Sequence, residues 1–421
     1  MNTGNTSPAE RLAAAMSRIY SRGLTTTSGG NLSVLDGEGN IWITPSGADK
    51  GCLTAEQICC VRPDGTVTGG RPSVELAFHQ AIYRVRPDIR AILHAHPPAL
   101  VAFSVVHAMP KPRFLAPAAR SCGRLGYADY AAPGSDRLGE YLSEEFRKGS
   151  DAVMMKNHGV CIGAHDMAAA YRQLETLEAL ATVEGYAHRL GGALMLSEEE
   201  LSRYVSLPRA DGDATAAMRI GEEEAEARRR LASFAARACR QRLFFGSLGC
   251  LSLRLGDGAF LITPTEADCT CLDETEPIRV EMEKKQEKPL PFETDMHTRI
   301  YQQHPEIRCI IGACPVYSMA FAVSGAPLDL TLMPESYVQL RELRRISFRE
   351  GLADPKSIAR LLSPEAPVLL WENSRLIVVG DSLLQAFDRL EVVEKTAQAI
   401  WTAQDIGRAV RLPEEELALL Q

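Results

Sequence analysis

The sequence predicts an α/β protein made of two tandem sandwich domains, each a mixed sheet covered by helices. Three observations predict it. The chain repeats itself at a fixed offset, each repeat interleaves strand-like with helix-like segments, and 421 residues exceed what one ordinary core fills.

The repeat is read directly. PSVELAFHQAIYRVRPDIRAILHAHPPALVAFSVV aligns without a gap with LPFETDMHTRIYQQHPEIRCIIGACPVYSMAFAVS at a shift of 218 residues, from Glu75 to Glu293. Along it His79 meets His297, Ile82-Tyr83 meets Ile300-Tyr301, Pro87 meets Pro305, and Ala102-Phe103 meets Ala320-Phe321. ITPSGAD at Ile43 finds ITPTEAD at Ile262, and LSEEEL at Leu196 finds LPEEEL at Leu412. Two homologous domains follow, residues 1–207 and 218–421, joined by SLPRADGDATAA, a composition suited to a short exposed connection.

The elements of the first repeat follow in order. Ser7-Pro8-Ala9-Glu10 has the serine cap, the proline and the acid of a capping box, and Gly23 ends the helix it starts. NLSVLDGEGNIWITP alternates apolar and polar residues around a DGEGN turn, the pattern of a β-hairpin. Ser73 is expected to cap the helix VELAFHQAIYRV, whose apolar positions recur at helical spacing until Pro87. AILHAH reads as a strand, AVMMKNHGVCIG as two short strands about a turn, and DMAAAYRQLETLEALATVEGYAHRL as a long amphipathic helix. Because hairpins are present, the sheet is not purely parallel.

Composition narrows the function. A content of 45% hydrophobic and 24% charged residues is that of a globular protein, and no apolar run approaches the roughly 20 residues of a membrane-spanning helix. The amino terminus lacks a basic start followed by a continuous apolar segment, so a secretory leader is not expected. Eleven scattered cysteines without a CxxC pair read as reduced thiols in a cytoplasmic protein. A net charge of −8 with no Lys/Arg stripe excludes nucleic acid as the expected partner. A small anionic molecule remains open, since a local nest of N–H groups can hold an anion against the global charge.

The candidate chemistry begins with His94 and His96. Residues i and i+2 of a strand point to one face, about 7 Å apart along the backbone, so two imidazoles there can converge on one ion. His158, at a strand end where Gly159 is expected to permit a tight turn, offers a third ligand, and Glu75 an oxygen. The competing reading makes HAH a pair of satisfied core histidines. Comparison of the repeats favours the ion: His94 becomes Gly312, His96 becomes Cys314 and His158 becomes Ser374, so all three go together. His79 keeps its counterpart and is read as a structural helix histidine. Glu75 persists as Glu293, so it is explained equally by the helix dipole and by proton transfer beside a metal.

TTTSGGNLS and TPSG are glycine-bearing turns rich in hydroxyl and amide donors, and with Ser73 they suit a phosphate or carboxylate. In the second repeat Asn31 becomes Cys250 and Ser46-Gly47 becomes Thr265-Glu266, placing a negative charge where the anion would sit.

As a set and in this order, TSGGNLS, ITPSG, PSVE, HAHP, YAAPGS and KNHG resemble the class II aldolase and adducin family, over nearly all of residues 8 to 200. The second repeat looks like a degenerate copy. The resemblance implies an α/β/α sandwich with a mixed, largely antiparallel sheet. It implies a divalent metal, zinc above all, on His94, His96 and His158, a catalytic acid at Glu75, and an anion cradle of Asn31, Ser46, Gly47 and Ser73. The implied activity is metal-dependent retro-aldol cleavage of a small sugar-derived, phosphorylated or unphosphorylated hydroxy-carbonyl compound. Decarboxylation or epimerisation through a similar enediolate, or a non-catalytic scaffold or sensor, are the alternatives. Family members form fourfold rings, so a homodimer of this tandem would imitate a tetramer of single domains. Two departures stand out: Val74 replaces a serine that phosphate-cleaving members carry before the acid, and Phe114 falls where aldolases use a proton-donating tyrosine.

Overall fold

The computed structural model describes residues 6–208, 220–265, 267–282 and 292–420. It forms two compact units, one comprising the residues up to Lys111 with Ser121–Thr182, the other Pro112–Arg120 with the residues from Val183 onward. The stretch 183–208 thus belongs to the first repeat by sequence and to the second unit by packing. Most of the connection, residues 209–217, lies outside the described residues, as does Glu266.

In the first unit eight strands build one sheet: β1 Asn31–Leu35, β2 Ile41–Ile43, β3 Cys59–Val61, β4 Val67–Thr68, β5 Ala91–Ala95, β6 Leu125–Ala128, β7 Ala152–Met155 and β8 Gly159–Ala164. Their spatial order is β4-β3-β2-β1-β5-β8-β7-β6. Every pair is antiparallel except β6 with β7. The sheet is therefore mixed and largely antiparallel, because hairpins supply the connections and a crossover helix, Asp136–Arg147, makes the parallel pair possible.

On one face the helices Leu76–Val85 and Asp136–Arg147 pack together and bury Phe78, Ile82, Leu138, Leu142 and Phe146 against Ile92, Val153, Met155 and Cys161. Ile92 and His94 share that face by strand alternation, so the apolar cluster grades into the histidines at the carboxyl end of β5. The helix Pro8–Ser21 begins with the expected capping box.

Two local expectations are corrected. Ser73 does not cap the next helix, which starts at Leu76 with Glu75 in the cap position. The Ser73 hydroxyl accepts from the Glu75 N–H at 3.3 Å instead. A preceding turn, closed by Leu76 N–H to Ser73 C=O at 3.1 Å, draws the chain inward and frees the Glu75 side chain for other partners. Nor is Gly159 the turn residue between β7 and β8. Asn157 takes the left-handed conformation, φ 53°, which its short amide tolerates.

Among its described residues the second unit repeats the plan with seven strands: β9 Gly249–Arg254, β10 Phe260–Ile262, β11 Ile278–Val280, β12 Cys309–Ala313, β13 Leu343–Ile346, β14 Val368–Trp371 and β15 Arg375–Gly380. The order is β11-β10-β9-β12-β15-β14-β13, again parallel only in the pair β13 with β14. Along β15, Ile377 and Val379 enter a core with Phe292, Met296, Phe348 and Trp371. Gly380 presses on the helix Leu383–Ala403, where a Cβ would lie 2.7 Å from the Ala386 backbone. Helices therefore cover both faces, and the α/β sandwich holds for each unit.

Candidate active site in the first unit

Register assembles the site. β5 lies between β1 and β8, which sets His94 opposite Asn31 on one side and Cys161 on the other. His158 sits in the turn that leads into β8, beside the end of β5. The ligating atoms of His94, His96 and His158 all lie within 4.8 Å of one another. The Nε2 atoms of His94 and His96 are 3.1 Å apart, close to the edge of a tetrahedron around an ion with bonds of about 2.0–2.1 Å.

Glycines make this approach possible. A Cβ on Gly159 would stand 2.5 Å from the Ala95 carbonyl and 2.8 Å from His96 Cδ2. One on Gly29 would stand 2.8 Å from His96 Nδ1. The His96 ring therefore fits between two backbone segments only because both lack side chains.

Protonation suits a cation. His94 Nδ1 lies 3.0 Å from the Val160 carbonyl, which can only accept, so Nδ1 carries the hydrogen and Nε2 is bare. Burial and the neighbouring His96 push the His94 imidazole down to about 3. Burial also lowers His96, against the pull of Glu75, and lowers His158 together with the His94 charge. All three rings are neutral at physiological pH, the state metal ligation requires.

Glu75 completes the cluster. Its carboxylate is 6% exposed, with Oε2 3.5 Å from the bare His94 Nε2 and 2.6 Å from the Asn31 amide nitrogen. Oε1 is buried with no hydrogen-bond partner among the described residues. Three imidazole lone pairs converge here with the Glu75 carboxylate beside them through Oε2, an arrangement of donors suited to a divalent cation. The donor set therefore fits the metal the resemblance implies.

The remaining expected residues are placed as follows. The segments 44–47 and 71–73 run side by side, bridged at Pro45 and Pro72, with Ser73 N–H to Thr44 C=O at 3.2 Å and Ser46 N–H to Arg71 C=O at 3.0 Å. Ser46 is half-buried, Gly47 is exposed with φ 72°, and Ser73 is buried. Asn31 stands apart from this pair of turns in its bonding, because its side chain is taken up by Glu75 and, at 2.5 Å, by His79. Val74 is exposed, and Phe114 is fully buried in the second unit. Within the glycine turn, the buried Thr25 hydroxyl has no partner among the described residues. His79, read from the sequence as a structural helix histidine, is buried with its Nε2 on Asn31.

The corresponding place in the second unit holds a guanidinium. Cys250 pairs with Gly312, and the residue after Ser374, Arg375, turns inward. Its buried guanidinium donates to the Tyr204 hydroxyl at 2.8 Å, to Glu293 Oε1 at 3.1 Å and toward Cys250 Sγ at 3.8 Å. A Cβ on Gly312 would meet Cys250 Sγ at 2.8 Å and Arg375 Cδ at 3.3 Å, so a larger residue there crowds this arginine. Among the described residues only the first unit groups three metal-ligating side chains.

Comparison with known proteins agrees with the duplication. The family model described as Class II Aldolase and Adducin N-terminal domain matches residues 10–184 and again 229–401. An L-fuculose phosphate aldolase of Methanococcus maripaludis is 36% identical over 164 residues, 39% of this chain and 88% of that protein. A 3-oxo-tetronate 4-phosphate decarboxylase of Haemophilus influenzae is 32% identical over 165 residues, 38% of this chain and 78% of that protein. A solved L-fuculose 1-phosphate aldolase is 28% identical with a TM-score of 0.43, covering 48% of this chain and 96% of its own.

Proposed function

The chain belongs to the class II aldolase and adducin family, carrying two copies of its domain, and from that premise we propose that its first unit is a divalent-metal-dependent lyase. The reaction is retro-aldol cleavage of a small sugar-derived hydroxy-carbonyl phosphate. The observation that carries this reading is the convergence of three neutral imidazoles, with the Glu75 carboxylate 3.5 Å from one of them.

His94, His96 and His158 hold the ion, zinc in this reading, and the Val160 carbonyl keeps His94 in the tautomer that ligation needs. The bound ion supplies Lewis acidity toward the carbonyl and adjacent hydroxyl oxygens of the substrate. Glu75 carries the proton, through Oε1, that the reacting carbon loses in aldol addition and regains in cleavage. Ser46, Gly47 and Ser73 offer donors to the anionic end, and Asn31 keeps one amide hydrogen beyond its bond to Glu75. Eleven scattered cysteines without a CxxC pair support action in a reducing cytoplasm. Two domains per chain support a homodimer that presents four domains, as a ring of single-domain subunits does.

Decarboxylation is the second reading. It is favoured by the Haemophilus influenzae relative and by Val74, which removes one hydroxyl from the acid's approach. Incubating the zinc-loaded chain with L-fuculose 1-phosphate and, separately, 3-oxo-tetronate 4-phosphate decides between them. Release of an aldehyde and a triose phosphate supports the lyase; carbon dioxide from the second compound alone replaces it with the decarboxylase. Turnover of either by a chain stripped of metal refutes both.

A further inference from the structure

Four consecutive hydrogen bonds run through the first unit and end on Glu75. Tyr83 Oη lies 2.8 Å from Ser33 Oγ, Ser33 Oγ 2.6 Å from His79 Nδ1, His79 Nε2 2.5 Å from Asn31 Oδ1, and Asn31 Nδ2 2.6 Å from Glu75 Oε2. His79 is fully buried, and Asn31, Ser33 and Glu75 are buried with it. Burial favours partners for these groups within the chain.

The donors can point only one way. A carboxylate accepts, so Asn31 must turn its NH2 toward Glu75 and its carbonyl toward His79. That carbonyl also accepts, so His79 Nε2 must carry a hydrogen. Burial pushes His79 down to about 3, so the ring is neutral and Nδ1 is bare. Ser33 then donates to Nδ1 and accepts from Tyr83. Flipping the Asn31 amide would set two acceptor oxygens 2.6 Å apart and leave a polar contact unmade.

We propose that His79 is a positioning residue for the proton carrier. By donating from Nε2 it fixes the orientation of Asn31, and Asn31 in turn holds Oε2 of Glu75, leaving Oε1 as the oxygen that works. This rests on the reading of Glu75 as the group that moves the proton.

The second unit supplies an internal control. His297, Ser252 and Tyr301 repeat the far end of the chain, with Nδ1 to Ser252 Oγ at 2.8 Å and Ser252 Oγ to Tyr301 Oη at 2.8 Å. The link to the carboxylate is missing, because Cys250 stands in place of Asn31 and meets His297 Nε2 only at 3.6 Å. Glu293 is held by Arg375 instead. The bond that positions an acid is present only where an acid is proposed to work.

The test is spectroscopic first. In protein labelled with 15N-histidine, long-range 1H–15N correlation should show His79 as the neutral Nε2–H tautomer, with its proton far downfield because of the 2.5 Å contact. That signal should vanish in His79→Gln and move in Asn31→Leu. Kinetics with L-fuculose 1-phosphate follow. His79→Phe should lower kcat by ~100-fold, the scale of acid–base catalysis, with KM and zinc content little changed. His79→Gln, which keeps a donor near Nε2, should recover most of it. Should His79→Phe fail to fold, Asn31→Leu breaks the same link and should lower kcat as much, with KM raised as well because Asn31 also belongs to the anion cradle. An Nδ1–H tautomer at His79, or a kcat in the Phe and Leu variants equal to that of the parent, overturns the proposal. The tautomer is read without turnover, so a chain inert toward this sugar phosphate refutes the lyase reading and leaves the positioning geometry separately decided.

Discussion

Replacing Arg375 with methionine removes the guanidinium from the centre of the second unit. Glu293 would keep its buried position, its side chain only 10% exposed, and lose its cation at 3.1 Å. The Tyr204 hydroxyl would lose its partner at 2.8 Å, deep among Phe292, Phe348 and Trp371. Truncating one member of a buried ion pair costs about 3–5 kcal/mol, since the remaining charge is neither solvated nor neutralised. For a unit of this size each kcal/mol lowers the midpoint by roughly 2–4 °C, so the second unit should melt roughly 6–20 °C lower. Differential scanning calorimetry on the metal-stripped chain reads this directly. Adding Glu293→Met to Arg375→Met should restore much of the loss, because apolar residues of similar volume replace the pair at little cost. A drop in Arg375→Met of only a degree or two would refute the reasoning. So would a double variant whose loss is the sum of the singles, since the two charges would then not depend on one another.

Further consequences follow from the same distances. His297 is buried in the second unit and held down to about 3 by desolvation first and by Arg375 second. Its neutral form is native, so the unfolded chain, titrating near ~6.5, binds the extra proton. Its contribution is therefore complete above that pH and is lost as pH falls toward the folded value; urea midpoints should decline below pH ~6.5, with a shallower slope in His297→Asn. Gly159→Ala would force a methyl to within 2.8 Å of His96 Cδ2 and 2.5 Å of the Ala95 carbonyl. Displacement of that ligand should weaken zinc by ~10–100-fold in a chelator competition, while circular dichroism stays native. Phe146→Ala, at the fully buried junction of two helices and the first sheet, should cost about 3–5 kcal/mol in urea unfolding and leave zinc stoichiometry unchanged.

Much of this was legible because periodicity and duplication are local properties of a chain. The alternation around DGEGN specified a hairpin, and HAH on a strand specified two rings on one face, whatever lay elsewhere. The joint disappearance of three histidines at Gly312, Cys314 and Ser374 pointed an ambiguous motif toward one shared role, and the structure brings the three rings together. What stayed hidden depends on register. Nothing in the spacing of Asn31, Ser33, His79 and Tyr83 says that a strand and a helix place them in one line of hydrogen bonds. The counterparts Ser252, His297 and Tyr301 were the available signal, and they pointed to structure because the fourth member, Asn31, becomes Cys250. Arg375 was invisible for a similar reason: a charge at the start of a strand reads as solvated until Glu293 and Tyr204 are seen around it. The cap at Ser73 failed because the turn 73–75 serves to bring Glu75 inward, and propensity alone cannot report a side chain recruited by tertiary contacts.

The central claim is that one cation belongs between His94, His96 and His158, and that the second unit has supplied its own. Zinc titration of metal-free protein, followed by plasma emission analysis of the dialysed complex, measures it most directly. One equivalent per chain in the parent, none in His94→Ala, and one in Arg375→Met is the expected pattern. Two equivalents in the parent, or an undiminished equivalent after His94 is removed, would contradict it.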